Sequence, residues 1–241
     1  MKPLIIGHRG AAGLLPENTL KSFALALEDL KADMVEFDIH LTRDGVPVIL
    51  HDATLDRTTR GKGYINQKTL EEVKSLIPTF EELLARFPKS QLAVEIKESS
   101  PRIVRAVMDL IQKYKSEKRV IVGSKRHEVW TEMEKNYPKV RRFTSQVAFA
   151  KLFFEWRTSE KKGTGCNQSL SPFSNVVASI PIRNFCGRFD EKALIDFLHA
   201  KGIQVFFWTV NDPEEIRSLL DKGARAVITD VPLRMIQALS R

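Results

Sequence analysis

Only two cysteines, Cys166 and Cys186, occur among 241 residues. They form no CxxC pair and have no histidine beside them. That excludes a disulfide scaffold or a thiolate zinc ribbon and fits free thiols in a reducing compartment. Long apolar runs are missing too. Nothing approaches the roughly 18 apolar residues of a membrane span. The run Leu4-Ile5-Ile6 is shorter than the roughly 7–15 residues of a signal-peptide core. The expectation is a soluble, cytoplasmic protein without stable membrane insertion. There is no GxGxxG, P-loop, GxSxG elbow or HExxH, so nucleotide binding gains no support.

Charge of one sign is not lacking: the formal net charge is +8. Such a balance favours anionic partners by long-range steering. The basic residues fall in short groups (Lys113, Lys115, Lys118, Arg119; Lys139, Arg141, Arg142; Lys161, Lys162). Acids interleave with them and stacking aromatics do not. This is the pattern of a solvated surface, not of a nucleic-acid stripe.

Short apolar runs alternate with amphipathic stretches from end to end. Strands are expected at Leu4–Ile6, Val35–Leu41, Val46–Leu50, Leu92–Ile96, Val120–Val122, Arg142–Ser145, Val176–Ile180, Val205–Trp208 and Ala226–Thr229. Helices are expected at Asn18–Leu30, Thr69–Ile77, Thr79–Arg86, Arg102–Tyr114, Glu128–Asn136, Ala148–Ser159, Glu191–Lys201, Pro213–Lys222 and Leu233–Leu239. Thr79-x-x-Glu82 resembles a capping box. Lys161 to Asn175 reads as a polar loop. About eight strand–helix units at an even pitch argue for parallel strands with crossover helices. In this length they favour a single (β/α)8 TIM barrel over residues 1–241, with a short insertion after the second strand.

The chemistry-bearing residues sit at strand ends, where such a barrel has its active face. Glu36 and Asp38 lie two apart on one strand and point to the same side. Glu95 and Lys97 repeat that spacing on the next barrel strand. Carboxylates converging inside a barrel are costly unless charge is supplied. Two readings follow: a charged network balanced by Lys97 and Arg9, or a hard cation with oxygen ligands, Mg²⁺ or Ca²⁺. The third carboxylate, Glu95, favours the cation. His8 and His51 end two strands at the same mouth. Each alone suits a structural or surface role. As a pair they suit an acid and a base for a phosphodiester. Arg9 and Lys97 suit a phosphoryl oxygen. His40 continues the Glu36/Asp38 alternation but lies beyond it. His127 and His199 read as helix-surface residues.

At these residues the chain closely resembles the glycerophosphodiester phosphodiesterase family. The matching segments are Gly7-His8-Arg9-Gly10, Pro16-Glu17-Asn18-Thr19, Glu36-Phe37-Asp38, Thr42-Arg43-Asp44-Gly45, His51-Asp52, Arg57-Thr58-Thr59, Glu95-Ile96-Lys97, Trp208-Thr209-Val210-Asn211 and Thr229-Asp230-Val231-Pro232. They run in family order across the chain. The resemblance implies metal-dependent hydrolysis of small-molecule glycerophosphodiesters to glycerol 3-phosphate and an alcohol. By position it implies Glu36, Asp38 and Glu95 as metal ligands and His8 and His51 as the acid/base pair. Arg9 and Lys97 match phosphate contacts, Trp208 matches the residue packing on the glycerol side, and Glu17 and Asn18 support the loop carrying His8. The segment between Asp52 and Phe80 departs from the family by being short where relatives carry a long cover. The Lys161–Asn175 loop with Phe153, Phe154, Trp156 and Phe185 is then a candidate rim, with helix core as the competing role for the aromatics. The rival functions are a barrel hydrolase or lyase acting on longer lipid phosphodiesters, which calls for an apolar entry surface, and a non-catalytic glycerol-phosphate-binding module.

Overall fold

The structure, a computed structural model, describes residues 3–162, 175–184 and 187–239. The strands are β1 (Leu4–His8), β2 (Met34–Leu41), β3 (Pro47–Ile49), β4 (Gln91–Ile96), β5 (Val120–Gly123), β6 (Arg142–Phe143), β7 (Val176–Pro181), β8 (Arg183–Asn184), β9 (Gly187–Arg188), β10 (Gln204–Trp208) and β11 (Ala226–Thr229). The helices are α1 (Leu20–Ala24), α2 (Leu70–Val73), α3 (Phe80–Arg86), α4 (Pro101–Lys113), α5 (His127–Asn136), α6 (Gln146–Lys162), α7 (Lys192–Ala200), α8 (Pro213–Asp221) and α9 (Pro232–Leu239). Among the described residues, eight parallel strands run in the order β1-β2-β4-β5-β6-β7-β10-β11 and close through the pairing of β11 with β1. This is the expected (β/α)8 barrel. The insertion also lies where expected: β3 turns back antiparallel on β2 after the Asp44-Gly45 turn, and α2 and α3 follow before β4.

Strand alternation builds two layers. Ile6, Met34, Ala93, Ile121, Phe143, Val177, Phe206, Ala226 and Ile228 fill the barrel interior. Their neighbours face outward: Val35, Phe37 and Ile39 pack under α1, α3 and α4, with Phe23, Phe80 and Met108 among their partners. Val205, Phe207 and Val227 pack with residues of α6, α7, α8 and α9 on the opposite side. The insertion has a small core of its own, from Val48, Leu50, Leu55, Ile65, Val73 and Ile77.

Several local details differ from the sequence reading, among them α2, which covers only Leu70–Val73 of the helix expected at Thr69–Ile77. The helix expected over Asn18–Leu30 is α for one turn only and then π over Leu25–Asp29, closed by Leu30 N–H donating to the Leu25 carbonyl (2.9 Å). Helix α6 runs on to Lys162, and residues 163–174 of the expected loop lie outside the described residues. A small hairpin, β8–β9, interrupts the connection after β7. Phe153 and Trp156 take the core role, with ring centroids 5.4 Å apart and Phe189 5.3 Å from Phe153. Phe154 is exposed, and Phe185 lies outside the described residues. The Thr79–Glu82 capping box forms as read.

Candidate active site

The site begins with strand register. His8 on β1 is the partner of Glu36 on β2, and Asp38 is the partner of Glu95 on β4. All four therefore emerge at the C-terminal mouth of the barrel. Past β1 the chain reverses tightly, with Arg9 at φ 50° and Gly10 at φ 92°. A Cβ on Gly7 would lie 2.2 Å from the Gly10 carbonyl oxygen, so the approach needs a glycine there.

Glu36 and Asp38 are buried, Asp38 almost completely at 1% exposure. One oxygen each of Glu36, Asp38 and Glu95 lies within 4.8 Å of the others. That spacing suits one divalent ion with oxygen ligands roughly 2.0–2.6 Å away. Cations of the chain touch the cluster unevenly. Lys97 Nζ reaches Asp38 Oδ1 at 2.7 Å and Glu95 Oε2 at 2.9 Å. Asp38 Oδ2 accepts from Asn18 Nδ2 (2.9 Å) and lies 3.4 Å from Arg9 Nε. Among the described residues, Glu36 meets the Arg9 backbone N–H, at 3.3 Å, and the edge of His8, whose Nε2 is 3.9 Å away. Burial, then the charge of Asp38, push Glu36 up to about 8. Burial opposes the charge on Lys97 too, but Asp38 and Glu95 prevail and hold its ammonium above the usual value. Lys97 and Arg9 thus balance Asp38 and Glu95 and leave Glu36 short of a positive partner. A divalent cation fits these residues and supplies what is missing.

Each histidine is held by a carboxylate. His8 Nδ1 donates to Asp230 Oδ1 at 2.7 Å, because a carboxylate only accepts, and Nε2 is left facing Glu36. Burial works against a charged His8, yet the Asp230 bond and the Glu36 charge outweigh it and raise the imidazole above its ordinary value. Asn211 in turn donates to Asp230 Oδ2 (2.8 Å) and accepts from Thr229 Oγ1 and the Asp230 N–H. This accounts for the Trp208–Asn211 and Thr229–Pro232 motifs together. His51 Nδ1 donates to Asp52 Oδ1 at 2.7 Å, and its backbone carbonyl lies 3.2 Å from His40 Nε2. His40 is buried and also meets Glu98 at 3.3 Å, so it stands behind His51 and away from the mouth.

Direct contacts unite His8, Arg9, Glu36, Asp38, Glu95 and Lys97. His51 joins them through a side-chain relay of Asp52, Arg57, Glu17 and Arg9. Trp208 joins through Lys125, whose ammonium is 5.1 Å over the indole ring and 4.0 Å from Glu95 Oε1. Beside Trp208 opens a cleft of about 330 Å³, lined also by Pro181, Ile182, Arg183, Arg188, Thr209 and Glu215. The sequence reading had no role for Asp52, Asp230, Asn211 or Lys125. The first three sat inside matching motifs, which was a usable signal. Lys125 carried none.

Residues 8–234 match the model of the Glycerophosphoryl diester phosphodiesterase family. A glycerophosphodiester phosphodiesterase of Caldanaerobacter subterraneus subsp. tengcongensis is 30% identical across 100% of this chain and 99% of its own length. A phosphodiesterase of Oleispira antarctica, solved with the product sn-glycerol-3-phosphate, superposes with a TM-score of 0.77 at 25% identity, covering 99% of this chain and 97% of that one. The glycerophosphoryl diester phosphodiesterase domain of a Mycobacterium tuberculosis protein shares the fold, with a TM-score of 0.82 at 20% identity over 98% and 99% of the two chains.

Proposed function

The chain belongs to the glycerophosphoryl diester phosphodiesterase family, and from that premise we propose that it cleaves glycerophosphodiesters to glycerol 3-phosphate and a free alcohol. In this reading residues 1–241 form one catalytic domain that works in the cytoplasm. The observation that carries the proposal is the set of three carboxylates within 4.8 Å of one another beside a carboxylate-held histidine. Glu36, Asp38 and Glu95 would hold one Mg²⁺ or Ca²⁺. When bound, that ion offsets carboxylate charge and the charge that develops on the phosphoryl group.

Asp230 and Asp52 each accept a hydrogen bond from the Nδ1–H of a histidine and leave Nε2 for proton transfer. One Nε2 removes the proton from the attacking oxygen, and the other gives a proton to the departing alcohol. Arg9 and Lys97 face the phosphoryl oxygens from the carboxylate side, and Trp208 packs on the glycerol. The bound sn-glycerol-3-phosphate of the Oleispira antarctica relative supports the phosphate staying with glycerol.

Product analysis tests the reading in one experiment. Glycerophosphocholine, glycerophosphoethanolamine and a lysophospholipid are each supplied to the wild type and to the His8→Ala and His51→Ala variants, with and without chelator. The expected result is glycerol 3-phosphate from the two glycerophosphodiesters, abolished by chelator and faster than any release of acylglycerol 3-phosphate from the lysophospholipid, with each variant slower by roughly 10²–10⁴-fold. Phosphocholine as the product, or full activity in both variants, sinks it.

A further inference from the structure

The two histidines are carried by parts of the fold with very different support. His8 ends a barrel strand paired on both sides. His51 follows β3, which lies outside the barrel, pairs with β2 over three residues and meets the chain before α3 through a Val48–Thr79 bridge. The His51 backbone is tied to β2, by Leu50 N–H donating to the Asp38 carbonyl (3.1 Å) and by His40 Nε2 at 3.2 Å from the His51 carbonyl, but these bonds do not fix how the His51 ring and the loop after it stand relative to the His8 loop. Among the described residues, the hydrogen bonds between the insertion loop (51–64) and the loop after β1 (9–19) all come from Arg57. Its Nη1 and Nη2 donate to Glu17 Oε2 (2.9 Å) and Oε1 (2.7 Å). Its Nε and Nη2 donate to Asp52 Oδ2 (2.6 Å) and Oδ1 (3.1 Å). Glu17 also accepts from Arg9 at 2.9 Å, and Asp52 holds His51.

We propose that Arg57 is a positioning residue that latches the His51 loop to the His8 loop and so fixes the separation of the acid and the base. It rests on the proposed function, which gives the two histidines their roles. Two physical points favour geometry over folding energy. The Arg57 side chain is 48% exposed, and exposed ion pairs add little to stability. The planar guanidinium fork grips two carboxylates at once, each through two bonds, which a lysine ammonium cannot reproduce. Arg57 is also the largest influence holding Asp52 well below the usual carboxylate range, which keeps Asp52 an acceptor for His51 Nδ1.

The test uses the full chain saturated with Mg²⁺ or Ca²⁺ and the variants Arg57→Ala and Arg57→Lys. Steady-state kinetics on glycerophosphocholine, the thermal midpoint and hydrogen–deuterium exchange are measured together. Arg57→Ala is expected to lower kcat by up to about 10²-fold, the effect of a misplacement of about 1 Å, with KM and the thermal midpoint nearly unchanged. Exchange should rise in residues 51–64 and 9–19 while the barrel strands stay protected. Arg57→Lys should recover only part of kcat. A wild-type kcat in Arg57→Ala, full recovery by lysine, or a kcat loss that follows a fall in thermal midpoint overturns the latch. A wild type that hydrolyses no glycerophosphodiester sinks the proposed function instead, and the exchange comparison still decides the latch.

Discussion

At Glu36 burial and a neighbouring charge act in the same direction. Its carboxylate is buried next to Asp38, and its pKa rises from 4.5 to about 8. The folded cation-free protein therefore holds a proton there that the unfolded chain releases near its ordinary value. Between about 4.5 and 8 the folded state binds more protons, so this group's contribution to stability falls as pH rises. Glu36→Gln removes the ionisation. In chelator, variant and wild type should melt alike near pH 5, and the variant should be the more stable at pH 8. Added Mg²⁺ or Ca²⁺ should reverse that order, since a ligand carboxylate must be deprotonated to bind. Differential scanning fluorimetry across pH reads both. Parallel pH profiles for the two proteins would contradict the account.

Among elements, β5 shows how closely the barrel interior sets the mouth. It ends on Gly123, register partner of Glu95. A Cβ there would lie 2.5 Å from Phe143 Cδ2 and 2.8 Å from Phe143 Cβ. Phe143 sits in the barrel interior, edge to face with Phe206 at 6.0 Å, so it has little room to yield. Gly123→Ala should destabilise the fold by about 1–3 kcal/mol, the usual range for overpacking a filled core. Urea denaturation should show a lower midpoint at constant slope. An unchanged midpoint would mean that Phe143 moves aside freely. The insertion is built differently: Ile49 and α3 pack into the core around the barrel, while Leu55, Ile65 and Val73 belong to a small core of their own.

For the whole molecule, net charge is the property with a functional reach. A chain at +8 attracts anions over distances that salt screens, with a Debye length of about 8 Å at physiological ionic strength. Glycerophosphoglycerol carries a net negative charge, and glycerophosphocholine is a zwitterion. The kcat/KM for the first should fall more steeply with added NaCl than that for the second. Equal slopes would show that the mouth, and not the overall field, governs capture. No described helix is long and apolar enough to cross a membrane.

The sequence by itself determined the barrel and the cluster at its centre. Alternation along β2 puts Glu36 and Asp38 on one side, and the strand pitch brings Glu95 and His8 to the same end, because both follow from local backbone geometry. Only the tertiary structure decided what surrounds them. His8 and Asp230 are 222 positions apart, and Lys125 meets Trp208 across the mouth. Arg57 joins Glu17 over a separation of 40. The π turn at Leu25–Asp29 keeps the apolar spacing of an ordinary helix, so no local pattern marks it. Such contacts depend on side-chain reach after the chain has closed, and periodicity carries no record of them.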